Sequence, residues 1–402
     1  MTYEREGIAF LPLRANDNFA RRLSNKFGIS DPDDLVKNIS FSNGEYCPTI
    51  TEVLKTLDGT KRLSGRIACI VYSYTKSDLH TMAAFGRLPY LTDAAYRAGA
   101  KEVYLIMSEH MFDRQDLDPN LRYDKDYENF SDGKKRKIDK MQGQPFSLEV
   151  AIKSFYNYGI KKVLTLDRHS EATEELYKKI YGPNQVFFNL DQIPIAVDYL
   201  LNSGIDIGED GENLVIVVAD TGAKERADSF CERSGLLKAA RVDCNKYRSE
   251  PNNPKKIIAE IIKRSENFNG MEGKILFSLD DKGDTFGTLE KTLVLGLEMD
   301  GRPKQIHVML SHMLFSSREA YEIIADNRMN VHGSNSHPNM VFKKDEPGVD
   351  QISVIDFTPY FAWALVNHVV HGKPLINPDK KYLETHREEF YKVIKKGKYV
   401  DF

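Results

Sequence analysis

Cysteine is scarce in this chain of 402 residues: only Cys47, Cys69, Cys231 and Cys244 occur, and no two form a CxxC pair. A disulfide framework and a thiolate zinc site are therefore excluded, and free thiols in a reducing compartment are expected. Charge of one sign is also lacking. Against 56 Lys and Arg stand 59 Asp and Glu, a net charge of −3, so no global basic field is available for nucleic acid. A phosphate-bearing ligand has to be held locally. No apolar run approaches the roughly 20 residues of a membrane span, and no membrane partner is expected. The opening MTYEREGIAFLPLR has no apolar segment before its charges. No signal peptide is expected, and a cytoplasmic location is. The length exceeds what one ordinary core supports and points to two domains.

What the chain does contain is a rhythm. GRIACIVYSY, EVYLIMS, KKVLTLD, NLVIVVAD, GKILFSLDD and KQIHVMLSH are compact apolar runs with β-branched or aromatic content, each opened by a polar residue or glycine; they read as buried strands. FGRLPYLTDAAYRAGA, SLEVAIKSFYNYG, AKERADSFCERSG and PKKIIAEIIKRSENF between them read as helices. Alternating strands and helices imply parallel sheets with crossover helices, an α/β fold. A domain boundary is expected near Gly182–Val186, giving domains 1–185 and 186–375 and a helical extension 376–402. Residues 116–144, polar and without period, read as an inserted loop. The basic run Lys134–Lys140 within it reads as a solvated face, because no aromatic interleaving accompanies it.

Parallel sheets place ligands at the carboxyl ends of their strands. The polar residues closing these strands are Asp167 and His169, Asp220, Asp280 and Asp281, and Ser311 with His312. Any one of them also fits a turn or a helix cap; several together favour a shared site. The fullest signal is LFSLDDKGDTFGTLEK, Leu276 to Lys291. Asp280 and Asp281 can accept hydrogen bonds from the cis hydroxyls of a sugar or coordinate hydrated Mg²⁺. The small-residue turn after them offers backbone N–H groups and a helix N-terminus to a phosphate, with Thr285 and Thr288 as further donors. Sugar hydroxyls on one side and a phosphate on the other describe a ribose 5-phosphate group.

DDKGDTFGT resembles the fingerprint of type I phosphoribosyltransferases and of the phosphoribosyl pyrophosphate synthetases. Further segments, in family order, resemble the synthetases specifically: RANDNFARRLSNKFG, FSNGEY, DRQD, QPFSLEVAI, LDRHSEA, ADTGAKERA, NKYRSEPN, SHMLFSSREAYEII and GSNSHP. The resemblance implies two phosphoribosyltransferase-like domains, each a parallel sheet flanked by helices. It also implies transfer of the β,γ-diphosphate of ATP to the anomeric hydroxyl of ribose 5-phosphate, with AMP released. Mg²⁺ and ATP are the implied cofactor and co-substrate. By the same resemblance Lys246 and Arg248 are catalytic, and His169 and Asp220 are metal ligands. Phe41, Asn43, Glu45, Arg114, Gln115 and Asp116 hold ATP. Asp280 and Asp281 take the ribose hydroxyls, while Asp284, Thr285, Phe286, Gly287 and Thr288 take the 5-phosphate.

Alternation in an extended chain puts Lys246 and Arg248 on one side, and likewise Phe41, Asn43 and Glu45. A homo-oligomer whose adenine site is shared between subunits is implied as well. The chain departs from the family pattern at Phe286, where relatives carry a small residue, in the insertion after DRQD, and in its extended tail. An aromatic surface beside the phosphate motivates a second acceptor, ADP-ribose. A catalytically weak regulatory companion is a third reading.

Overall fold

The computed structural model of the protein describes residues 7–29, 31–51, 62–74, 81–219, 221–248, 257–287, 289–292, 300–337, 346–369, 371–374, 376–378 and 380–391. The chain divides into two units, Met1–Leu190 with Phe361–Ile376 and Asp191–Tyr360 with Asn377–Phe402.

In chain order the first unit contains β1 (Ile8–Pro12), α1 (Asn18–Lys26), the hairpin of β2 (Val36–Ser40) and β3 (Tyr46–Ile50), β4 (Ile67–Tyr72) and α2 (Thr81–Arg97). β5 (Glu102–Met107), α3 (Asp132–Lys140), α4 (Ser147–Tyr158), β6 (Ile160–Leu166), α5 (Glu171–Tyr181) and β7 (Phe187–Leu190) follow. Five strands form a parallel sheet in the order β1-β4-β5-β6-β7. Phe10, Leu11, Ile70, Val71, Leu105, Ile106 and Leu164 along it are fully buried, as expected of strands covered on both faces. At its carboxyl edge Asp17 caps α1, accepting from Ala20 N at 2.9 Å and from the Ser73 hydroxyl at 2.7 Å, with Arg14 Nε at 3.4 Å.

Three expectations change here. The boundary falls after Leu190 rather than near residue 185, because β7 pairs with β6 from Val163↔Phe187 to Leu166↔Leu190. The stretch 116–144 is not a plain loop. It carries short 3₁₀ turns at Pro119–Tyr123 and Tyr127–Asn129 and the helix α3. Ser131 accepts from Lys134 N at its start, Lys137 and Lys140 lie in its last turn, and Ile138 alone is buried. One apolar residue leaves no period to read; capping and charge placement support the helix instead. Third, residues 361–376, expected in the second domain, group with the first unit, and the expected extension 376–402 groups with the second unit from Asn377. Phe361 meets Phe19 edge-on at 5.2 Å within the first unit. Asn377 accepts from Asp191 N at 2.9 Å within the second.

The second unit adds α6 (Ile193–Asn202), β8 (Leu214–Val218), α7 (Lys224–Ser234), β9 (Ala240–Arg248), β10 (Ile257–Arg264), β11 (Ile275–Gly283), β12 (Gln305–Met313), α8 (Arg318–Asp326), β13 (Met329–Ser334) and β14 (Ile352–Ile355). The helix α9 (Thr358–Val369) crosses the partition, and α10 (Lys380–Phe390) belongs to the second unit. The sheet runs β10-β9-β8-β11-β12-β13-β14. Six strands are parallel; β10 folds back antiparallel on β9, so the sheet is mixed at that edge. The expectation of a helix over PKKIIAEIIKRSENF gives way to β10, whose β-branched isoleucines suit a strand. α10 is fastened by Arg387, which donates twice to Asp198 at 3.0 and 2.7 Å.

A polar chain crosses the interior of this unit. Tyr199 Oη lies 3.1 Å from His332 Nδ1, His332 Nε2 3.0 Å from His307 Nδ1, and His307 Nε2 3.2 Å from Gln305 Oε1. The amide oxygen can only accept, which fixes the direction: Tyr199 donates to His332, His332 to His307, and His307 to Gln305. Burial pulls His307 down to about 4 and His332 down to about 3. Both rings are neutral at pH 7.

Candidate active site

β11 is buried through Leu279 and changes character at its carboxyl end: Asp280 is half-buried and Asp281 buried. Asp280 accepts from Asp281 N at 2.9 Å, and its carbonyl accepts from Gln192 Nε2 at 3.1 Å. Asp281 Oδ2 lies 4.0 Å from a guanidinium nitrogen of Arg226, near the start of α7. The guanidinium is steadied by Gly222 O at 3.3 Å. One carboxylate of the pair therefore faces a cation, and carboxylate oxygens can accept from hydroxyls.

The chain then turns. Asp284 is half-buried and Thr285 exposed, and Phe286 takes a left-handed backbone with φ of +60°. The helical segment from Gly287 follows, closed by Glu290 N on Phe286 O at 2.9 Å. The result is a turn feeding a helix N-terminus, the arrangement that suits a phosphate. The Phe286 side chain turns inward. Its ring is 4% exposed and meets the Phe315 ring at 5.4 Å. It also covers Gly283, where an added Cβ would lie 3.0 Å from the Phe286 ring and would strike Leu310 as well. The expectation of an aromatic surface beside the 5-phosphate is corrected: the missing side chain at 283 makes an interior space, and the ring fills it. With that surface gone, the structural motive for an ADP-ribose acceptor goes too.

The strand ends beside this turn are polar and buried. Ser311 O accepts from the hydroxyls of Ser334 and Ser336, and His312 Nδ1 lies 2.9 Å from Ser336 Oγ. Asn335 donates to Asp356 at 2.8 Å. The SHM and GSNSHP segments are thus neighbours through the pairing of β12 with β13.

In the first unit, Phe41, Asn43 and Glu45 do not alternate along a strand. They form the tip between β2 and β3, where Phe41 N donates to Glu45 O at 2.8 Å, Gly44 N to Phe41 O at 2.9 Å, and Glu45 N to Asn43 Oδ1 at 3.2 Å. Gly44, at φ +89°, makes that closure possible. All three are exposed, Phe41 by 56%. Beneath the tip, Tyr46 lies under the Arg87 guanidinium at 4.8 Å, and burial pushes its hydroxyl up to about 12. Arg114 is exposed, while Gln115 and Asp116 are half-buried. The Gln115 amide oxygen takes the Ser147 hydroxyl at the start of α4. At the end of β6, Asp167 is buried with φ of +42°, and His169 two residues on is exposed.

Asp220 and Thr288 lie outside the described residues. Lys246 and Arg248 stand in β9, paired with Ala259 and Ile257 of β10; their side chains lie outside what is described. Reasoning on sequence passed over two residues that the second unit brings to the turn, Arg226 and Phe315. Arg226 sat in ADTGAKERA without an assigned role. Phe315 carried no signal, because its position follows from the register Gly283↔Met313.

No family profile matches the chain. It is similar to the ribose-phosphate pyrophosphokinase of Halalkalibacterium halodurans, 23% identical over 376 residues, covering 92% of this chain and 97% of that protein. The enzyme of the same name from Bacillus subtilis is 24% identical over 322 residues, 78% of this chain and 80% of that one. A phosphoribosylpyrophosphate synthetase structure from Mycobacterium smegmatis shares the fold, with a TM-score of 0.65 and 17% identity over 92% of this chain and all of that one.

Proposed function

We propose that this chain, a divergent relative of the ribose-phosphate pyrophosphokinases, transfers the β,γ-diphosphate of ATP to O1 of ribose 5-phosphate and releases AMP. The observation that carries this reading is the end of β11: two carboxylates, one facing Arg226, followed by a turn that opens a helix. Similarity along nearly the whole length of a named relative supports it.

In the reaction a bond forms between O1 and Pβ, and the bond from Pβ to the oxygen that leaves with AMP breaks. The hydroxyl proton departs to solvent. The nucleophile is the sugar's own oxygen, so the protein's work is alignment and charge stabilisation. Asp280 and Asp281 orient the ribose hydroxyls; Asp284, Thr285, Gly287 and Thr288 hold the 5-phosphate. Lys246 and Arg248, on the β9–β10 hairpin, supply the cations that meet charge building on the transferred phosphoryl oxygens. The tip residues Phe41, Asn43 and Glu45 read adenine, with Arg114, Gln115 and Asp116 on the nucleotide.

Mg²⁺ bound with the nucleotide supplies further charge neutralisation. His169, exposed at the end of β6 two residues after the buried Asp167, would be one ligand of a hydrated ion and Asp220 the other. An exposed tip carrying Ile39, 44% exposed, and Phe41 supports a homo-oligomer in which the tip completes a neighbour's adenine site. The four free thiols support a cytoplasmic setting. Among the described residues no helix is long and apolar enough to cross a membrane.

The test is an acceptor panel with AMP readout. Purified protein with Mg-ATP is expected to release AMP with ribose 5-phosphate. Release with ADP-ribose alone would overturn the choice of acceptor. Release with neither would favour the regulatory companion.

A further inference from the structure

Two adjacent turns in the second unit share an uncommon feature. Phe286, after β11, has φ of +60°, and Phe315, after β12, has φ of +40°. Bulky residues avoid this region unless their surroundings hold them there. Here the two rings lie 5.4 Å apart, 4% and 3% exposed, and Phe315 packs further on Tyr321 at 5.2 Å. The backbones are tied as well. Gly283 O accepts from both Leu314 N at 2.8 Å and Phe315 N at 3.2 Å, and Asp284 Oδ1 accepts from Ser316 N at 3.2 Å. Gly283 leaves room for the Phe286 ring directly over the backbone. The first turn is the proposed 5-phosphate turn; the second holds none of the residues assigned to a ligand.

We infer that Phe286 and Phe315 form a clasp that fixes the 5-phosphate turn from beneath, so that both are positioning residues for the acceptor. The inference rests on the functional reading given above. A turn whose N–H groups must point at one phosphate gains from being held before the ligand arrives, since a misplaced donor costs binding and rate together. Backbone preference alone does not hold it, because φ here opposes the residue present. The packed, mutually tilted rings and the shared carbonyl do.

Glycine separates the two contributions. It accepts positive φ without strain and supplies no ring. If backbone geometry held the turn, Phe286→Gly and Phe315→Gly would bind the acceptor as well as the wild type or better. The clasp predicts that each raises the KM for ribose 5-phosphate about tenfold and leaves the KM for ATP within about twofold. Phe286→Leu, which keeps an apolar filler, restores most of the affinity. Unchanged acceptor KM in folded glycine variants overturns the clasp. If a glycine variant does not fold, Phe315→Leu is read instead. A rise of about two- to threefold confined to the acceptor supports the inference, and no rise overturns it.

Amide hydrogen exchange over residues 284–292, measured without substrates, separates this inference from the reaction assignment. Faster exchange in the Phe315 variants than in the wild type supports the clasp whichever acceptor is used; identical exchange overturns it. Wild-type protein that makes no AMP from ribose 5-phosphate sinks the reaction assignment alone.

Discussion

Two loops of this protein carry a phenylalanine in a segment that reads, in sequence, as ligand-binding. They use it in opposite ways. At the β2–β3 tip Phe41 is 56% exposed and its neighbours hydrogen-bond to one another within the turn. At the end of β11 Phe286 is 4% exposed and locked against Phe315. The first ring is available to a flat ligand, and the second shapes the backbone. The difference lies in what the preceding residues leave open. Phe41 follows a two-stranded ribbon with few buried residues, so among the described residues it has little core to pack into. Phe286 follows Gly283 in a buried strand, and the space above that glycine draws the ring inward. An aromatic residue in a binding motif therefore contacts ligand only if the fold offers it no better place.

The largest effect that bears on this contrast is chemical. Lys246→Ala, on the edge hairpin, should lower kcat about 10²- to 10³-fold through lost charge stabilisation, with the melting temperature unmoved. An unchanged rate of AMP release would remove Lys246 from the mechanism and leave β9–β10 a plain edge hairpin.

Next comes stability at the two phenylalanines. Phe286→Ala should cost about 3–5 kcal/mol in denaturant unfolding, the usual range for a deleted core ring. Phe41→Ala should cost less than about 0.5 kcal/mol. Equal losses would erase the distinction. Function should reverse the order for the nucleotide: Phe41→Ala weakens ATP by about 1 kcal/mol, roughly fivefold in KM, the lower end for a lost base stack.

Acid separates the two units in another way. His307 and His332 have pKa values of about 4 and about 3 in the fold, below the usual 6.5. Unfolded chain therefore binds more protons than folded chain between these limits. Their contribution is complete above pH 6.5 and is lost as pH falls toward 4, on the order of 3 kcal/mol for each ring. Thermal melts across that range should show the second unit weakening first. A flat profile from pH 6.5 to 4 would count against neutral rings in the Tyr199–Gln305 chain.

The smallest effect is local. Ser131→Ala removes the cap of α3 and should destabilise that helix by about 1 kcal/mol. Hydrogen exchange over 132–140 reads it, and AMP release should not change.

Much of the fold was legible because buried parallel strands announce themselves as short apolar runs. KKVLTLD and GKILFSLDD appear as β6 and β11, each ending in the acidic residue that drew attention. The segments that misled were those where period is weak or absent. The helix α3 buries only Ile138; its existence depends on a cap and on charges in its last turn. β10 carries Ile257, Ile258, Ile261 and Ile262 at spacings that fit a helix stripe equally well, and pairing with β9 decides the matter. At the site, residue types within one segment could be read, as with the aspartate pair. Partners from other segments could not. Arg226 reaches Asp281 from α7, and Phe315 reaches Phe286 because β11 and β12 are in register. Neither relation exists in a one-dimensional string.

The central claim, movement of a two-phosphorus unit to the anomeric oxygen, is tested most directly by ³¹P NMR of the products formed from Mg-ATP and ribose 5-phosphate. The account predicts AMP in equal amount with a new diphosphate ester that retains the 5-phosphate signal. ADP together with a bisphosphorylated sugar, the products of single-phosphoryl transfer, would contradict it.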